Sequence, residues 1–274
     1  MVYFFDKDFN CKRKGKGELC FMKDISEYGE NKKLNITFPN NKQEKDLSFK
    51  NEFKPSEEDK NGNKDLEYKI EIEFNGKIKH CGYMFYDCCN ITEVDLTNFD
   101  MSDVTDMKEM FNYCTNLKNI KFSGGVIEKV TNMNYMFNYC KNLEEIYLGN
   151  FKTDRVTSMG GMFQHCEKLK KIDLSRFDTE STVQLGCMFN DCYNLEEIIL
   201  SNNFTVSKAL FLPWMFYGCE KLEKLDLKHF VFEKAMDLTQ LFEGCDKLDK
   251  IIVDRKYIDK FKKLYKGIQN KFVE

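Results

Sequence analysis

The pair Met-Phe, once Leu-Phe, with a cysteine three residues after the Phe, occurs seven times in this chain, starting at Met84, Met110, Met136, Met162, Met188, Met215 and Leu241. The spacings are 26, 26, 26, 26, 27 and 26 residues. Self-similarity at one fixed period marks a chain built from stacked units. One unit of this size cannot bury its apolar stripe alone, whereas stacked units lay each apolar column against its own copy in the next turn. The single extra residue falls in SNNFTVSKALFLPW, which also carries Pro213, and reads as a loop adjustment.

Each unit shows two hydrophobic periods. Met107, Met110, Phe111 and Cys114 sit at i, i+3, i+4 and i+7, which predicts one face of a short helix. Leu117, Ile120 and Phe122 then approach alternation, as a short strand requires. Asp103 and Thr105 are suitable N-cap residues ahead of Met107. Strands stacked at about 4.8 Å opposite helices stacked at about 8–10 Å would curve the array, with the strands on the concave side. The expected fold class is therefore α/β: a right-handed curved solenoid, or horseshoe, of seven repeats with N- and C-terminal caps.

The flanks set the expected boundaries. Residues 66–254 form the solenoid, 1–65 a cap or small appended module, and 255–274 a closing helix. Within 66–83, YKIEIEF alternates and Asn75-Gly76 signals a tight turn, so this stretch reads as a degenerate first turn. LNITF at 34–38 has strand alternation, and PSEEDKNGNKD at 55–65 is a polar loop. Ile258, Phe261, Leu264, Tyr265, Ile268 and Phe272 share one helical face. Residues 255–274 hold seven Lys/Arg against two acids; such a helix suits a membrane surface or partner, but a solvated cap is the simpler reading.

The chain is 42% hydrophobic and 32% charged with a formal net charge of −3, which suits a folded soluble chain and gives no basic excess for nucleic acid. Its start, MVYFFDKDFNCKRKGKGELC, lacks the sustained apolar core of a signal peptide, and no window has the apolar run a spanning helix needs. On those features the chain is expected in the cytoplasm.

The longer repeat form MFxxCxxLxxIdLsxFdTxxVTxM, carried by DLTNFDMSDVTDMKEMFNYCTNL at 95–117 and IDLSRFDTESTVQLGCMFNDCYNL at 172–195, resembles the leucine-rich repeats of the BspA-like family of bacterial surface proteins. The resemblance covers roughly residues 66–254. It implies a right-handed horseshoe used for adhesion or protein binding, often at a cell surface or secreted, and no catalytic residues. The chain departs from the family pattern in showing no leader and no cell-wall or lipid anchor.

Of twelve cysteines, Cys88, Cys114, Cys140, Cys166, Cys192, Cys219 and Cys245 share one repeat column, where free thiols act as small buried hydrophobes. Cys11 and Cys20 enclose KRKGKGEL and suit a bridge in an oxidising compartment. His80, Cys81, Cys88 and Cys89 lack the spacing of a tetrahedral zinc site. His165 and His229 sit in no catalytic motif, and Gly124-Gly125 and Gly160-Gly161 read as repeat corners. No metal, cofactor, nucleic acid or enzymatic activity is expected.

Two-residue alternation turns certain strand residues away from the core. One outward column contains Glu93, Asn119, Glu145, Lys171, Glu197 and Lys224. The next contains Asp95, Lys121, Tyr147, Asp173, Ile199 and Asp226. Tyr147 and Ile199 beside charges have the character of a partner surface, and Trp214 is a candidate second anchor. The expected function is a non-enzymatic protein-binding or adhesion scaffold acting through this concave strand face. The alternative is an intracellular scaffold or assembly subunit for an endogenous partner.

Overall fold

A computed structural model describes residues 78–89, 91–122, 127–149, 151–236, 238 and 240–274, together with the backbones of four further strands. These four are β1 (Val2–Phe5), β2 (Leu34–Ile36), β3 (Lys45–Lys50) and β4 (Tyr68–Phe74). The Cys11–Cys20 loop, Asn75-Gly76 and Gly124-Gly125 lie outside the described residues.

Every repeat contributes one short strand: β5 (Ile91–Leu96), β6 (Asn119–Phe122), β7 (Glu145–Tyr147), β8 (Lys171–Leu174), β9 (Glu197–Leu200), β10 (Lys224–Leu227) and β11 (Lys250–Val253). Neighbours pair in parallel with Glu93 opposite Asn119, Asn119 opposite Glu145, Lys171 opposite Glu197 and Lys224 opposite Lys250. The register therefore equals the repeat length, and like residue lies over like residue. A second line of parallel bridges joins His80, Asp106, Asn132, Ser158 and Gln184.

The expected α/β horseshoe is not what forms. The structure is a parallel β-solenoid of about six turns with very little helix. In the segment expected to be helical, alternate amides leave the coil. Met107, Glu109, Phe111 and Tyr113 donate their N–H groups to the carbonyls of Asn132, Asn134, Met136 and Asn138, each at 2.9 Å. The intervening amides close local turns, Met110 to Met107, Asn112 to Glu109 and Cys114 to Phe111. The i, i+3, i+4, i+7 pattern is satisfied by consecutive turns that point the same side chains inward. A helix is excluded because its amides would all be spent within the coil. Its girth would also hold coils about 8–10 Å apart, whereas the stacked rings of Phe111, Phe137 and Phe163 lie 5.7 and 5.6 Å apart. With both sides of the coil at sheet spacing, the mismatch that curves a horseshoe is gone.

These turns require residues in the left-handed region. Glu109, Tyr113, Tyr135, Tyr139, His165, Cys187, Asp191, Trp214 and Gln240 all have φ between 53° and 64°. Side chains pay about 1–2 kcal/mol for that conformation, and each amide bond to the next coil offsets part of it. Gly161 fills one such position at φ +61°, where an added Cβ would stand 2.4 Å from the Tyr135 ring. The Thr105 expected to cap a helix instead sends its hydroxyl to the Lys79 carbonyl, as Thr131 does to Thr105 and Thr157 to Thr131.

The core is one continuous column set. Phe85, Phe111, Phe137, Phe163, Phe189, Phe216 and Phe242 form an unbroken stack with centroids 5.0–6.1 Å apart. Beside it the thiols make a second ladder. Cys114, Cys140, Cys166, Cys192, Cys219 and Cys245 each donate Sγ–H to the carbonyl of the stacked Phe one coil earlier, at 3.0–3.2 Å. That carbonyl already accepts the amide of its own coil's Cys, as in Cys114 to Phe111, so the thiol engages its second lone pair. Cysteine suits the column because it is small, apolar and still a weak donor.

Both ends are covered. β1 pairs antiparallel with β4 and with β5, and β3 pairs with β4. The stretch read as a degenerate first turn thus holds an antiparallel strand, and the in-register columns begin with Ile78 and Cys81, both buried. At the other end α1 (Arg255–Leu264) starts at Asp254, whose side chain accepts the Lys256 amide. It buries Tyr257 and Phe261 against Phe232 and Phe242. The helix is shorter than the apolar stripe implied: it stops at Leu264, which is exposed. The chain turns and returns as β12 (Phe272–Val273), parallel to β11.

Two predictions follow from this packing. Phe163→Ala removes a ring stacked on both faces and is expected to cost about 3–5 kcal/mol in urea unfolding, while Gly161→Ala costs about 1–2 kcal/mol through φ and the Tyr135 contact. Burial pushes the Cys114, Cys166 and Cys219 thiols well above the ordinary range and Cys245 to about 12. Folded-state values above the unfolded one mean that this stability is complete below about pH 8.5 and is lost as pH rises toward the folded values. Each ladder thiol is expected to add a loss of about 1.4 kcal/mol per pH unit above that point, so replacing Cys140 and Cys166 by Ala makes the pH dependence of unfolding between pH 9 and 10 measurably shallower.

Candidate functional site

The strand face expected to bind a partner is largely occupied with itself. Lys171 Nζ lies 2.6 Å from Glu197, one coil on, and Asn119 donates to Glu93 at 3.2 Å. Asp95, Asp173 and Asp226 accept the amides of Thr97, Ser175 and Lys228 two residues ahead. These are Asx turns that end the strand, and the bonds from Ser175 hold the Asp173 carboxyl below its usual range. Glu145, Lys121 and Lys224 are exposed, and Ile199 is half-buried rather than projecting. Tyr147 is 62% exposed. It borders a cleft of about 220 Å³ shared with Asp173, Ser175 and Arg176, where the strand ladder is interrupted between β7 and β8.

The exposed apolar surface gathers elsewhere. Among the described residues nine large hydrophobic side chains are exposed, and seven of them, Tyr83, Tyr135, Val183, Leu210, Phe211, Trp214 and Met236, belong to the turn segments. Only Tyr147 is on a strand and Leu264 on the helix. One column supplies three of these seven. Read coil by coil, it is Lys79, Thr105, Thr131, Thr157, Val183, Leu210 and Met236. Its amide-to-carbonyl bonds run Thr105 to Lys79, Thr131 to Thr105, Thr157 to Thr131, Val183 to Thr157 and Met236 to Leu210. Three threonines sealed by their own hydroxyl bonds give way to three apolar residues in successive coils. Phe211 follows Leu210 at 56% exposure, Met236 reaches 74%, and Trp214 stands at 43% with its Nε1 donating to Gln240 at 2.7 Å.

Sequence periodicity placed Trp214 on this side but missed the patch around it. The signal was present: the same 26-residue column changes from Thr to Val, Leu and Met. Reading Thr105 as a helix N-cap gives that column a local role and leaves its change along the stack unexamined.

Several titratable groups among the described residues lie in stacking contacts between coils. His165 stacks on Tyr139 at 4.1 Å, Tyr139 stacks on Tyr113 at 4.6 Å, and Asp191 lies 3.4 Å from the imidazole Nδ1. Burial lowers the His165 pKa against the pull of Asp191. Cys187 near Asp191 has its thiol pushed up by burial, the opposite of nucleophile activation. No group of three or more His, Cys, Asp or Glu among the described residues could hold a metal. No helix among them is long and apolar enough to cross a membrane.

Comparison with known families matches the repeat-bearing part of the chain more than once. The family described as "Mycoplasma protein of unknown function, DUF285" matches residues 61–147, 79–171 and 142–255. Among curated proteins none matches. Three overlapping matches, together spanning the repeat-bearing part of the chain, fit a unit of one period found many times over. The chain belongs to the DUF285 family.

Proposed function

We propose that this protein is a non-enzymatic protein-binding scaffold whose contact surface is the apolar patch of the turn face around Leu210, Phe211, Trp214 and Met236. The observation that carries the reading is the column in which Thr105, Thr131 and Thr157 give way to Val183, Leu210 and Met236. Val183 keeps the bond to Thr157 that the threonines make, so at that coil folding does not demand the change, and Leu210 lies past the one-residue insertion. Surface apolars scattered singly are ordinary, but a contiguous set on one face marks an interaction site. Trp and Phe anchors supply much of the free energy at such sites. The likeness of the repeats to BspA-like surface proteins supports adhesion to a protein ligand as the purpose.

The test places a photo-crosslinking amino acid at position 210, 236 or, as control, 131, in the protein within its native cells. Discrete protein adducts at 210 and 236 with none at 131 support the patch. Absence of adducts at 210 and 236, or equal labelling at 131, overturns it. Phe211→Ser with Leu210→Thr is expected to abolish those adducts while shifting unfolding by less than about 0.5 kcal/mol per site. The strand face is checked separately: Tyr147→Ala is expected to leave both thermal stability and the adducts unchanged, since Tyr147 lies on a different face.

A further inference from the structure

We infer that the outer face of the C-terminal cap is a docking surface for an anionic lipid bilayer, separate from the turn-face patch. On the coils, exposed lysines are answered by acids on a neighbouring coil: Lys129 by Asp103, Lys141 by Glu167, Lys152 by Glu128 and Lys171 by Glu197. The cap departs from this rule. Helix α1 buries Tyr257 and Phe261 and leaves Arg255, Lys256, Lys260, Lys262 and Lys263 exposed, with Lys266 exposed in the turn that follows. Of these, Lys256 meets Glu233 at 2.7 Å. Among the described residues the other five form no ion pair. The helix closes the stack, so no further coil brings acids opposite them. Asp259 is the one exposed acid on the helix.

Folding does not ask for this charge. The amide end of a helix favours acids and the carbonyl end favours bases, which accounts for Lys262 and Lys263 in the last turn. The first turn holds no acid and instead carries Arg255 and Lys256, against that preference. Charge is also separated along the chain. Residues 255–274 hold seven Lys/Arg against two acids, whereas the first full repeat, 84–109, holds seven acids against one Lys. An anionic surface therefore attracts the cap and repels the first repeat.

The residue types choose among anionic partners. Nucleic-acid surfaces rely on arginine forks and on aromatic side chains for stacking. The exposed set has one arginine, and the cap's Tyr257, Phe261 and Phe272 are buried. Leu264 instead lies one turn beyond Lys260 and is 41% exposed. A bilayer holds lysines as diffuse charges against its anionic headgroups and accepts an aliphatic side chain between them. No helix among the described residues is long and apolar enough to cross a membrane, so the contact is one of surface to surface.

The test floats the full chain with phosphatidylcholine vesicles containing about 30% phosphatidylglycerol, and with phosphatidylcholine vesicles alone, at about 0.1 M salt. Binding to the anionic vesicles is expected to exceed that to the neutral ones at least tenfold. Lys260→Gln, Lys263→Gln and Lys266→Gln together are expected to weaken it at least tenfold with an unchanged melting temperature, and Arg at the same three positions to restore it. Leu264→Ser is expected to weaken it at least threefold, a change that a purely electrostatic contact would not show. Leu210→Thr with Phe211→Ser serves as the control and is expected to leave vesicle binding intact, which keeps this inference separable from the turn-face proposal. Equal binding to the two vesicles, binding that ignores the triple Gln variant or Leu264→Ser, loss of binding in the turn-face control, or tighter binding to a single-stranded oligouridylate than to the anionic vesicles would each overturn the inference.

Discussion

The structure depends on hydrogen bonding between coils on both flanks at once. On one flank the parallel strands pair in a register of one repeat. On the other, alternate amides of the turn segment reach the next coil at close to 2.9 Å. Both flanks are therefore held at backbone-pairing distance, and no element wider than a single extended or turning chain fits between coils. Straight columns, the absence of helix from the repeats and the stacking of identical side chains all follow from that spacing.

The columns in turn select residue types. A ring stack at 5.0–6.1 Å admits planar side chains lying nearly parallel, and seven phenylalanines supply them. The carbonyl of each stacked Phe must serve two donors, and a thiol is the smallest apolar side chain able to be one of them. Left-handed turn residues are tolerated, even where bulky, because each lies next to amides that the following coil secures. The same arrangement gives the solenoid two distinct ends. Its first coil meets an antiparallel sheet, and its last meets a helix and a short strand. A repeat protein must cap its terminal coils to hide apolar columns, and here Phe261, Tyr265 and Phe272 close the Phe stack at Phe242.

The outer faces differ because they are free to vary. On the strand face, charges answer charges one coil away, as Lys171 does Glu197, and exposed pairs of that kind add little stability. On the turn face, the hydroxyl ladder of Thr105, Thr131 and Thr157 ends at Val183 and an apolar surface takes its place. The change from Thr157 to Val183 keeps the amide bond between the two coils, so an outer residue can change type there without loss of that bond.

From the residues alone, the 26-residue period, the stacking of coils, the inward set of Met, Phe, Cys, Leu and Ile, and the strand at each L-x-x-I-x-L could be read, because burial repeats with the sequence. The inward set was correct even where the backbone was not: i, i+3, i+4 and i+7 describes a helical face and equally a run of turns with residues such as Glu109 and Tyr113 in the left-handed region. Nothing in Tyr, Trp or Glu announces positive φ. The choice between the two backbones rests on where alternate amides find acceptors, and those acceptors lie 25 residues away in the next coil. Tertiary stacking decided it, and with it the shape of the solenoid and the location of the exposed apolar patch.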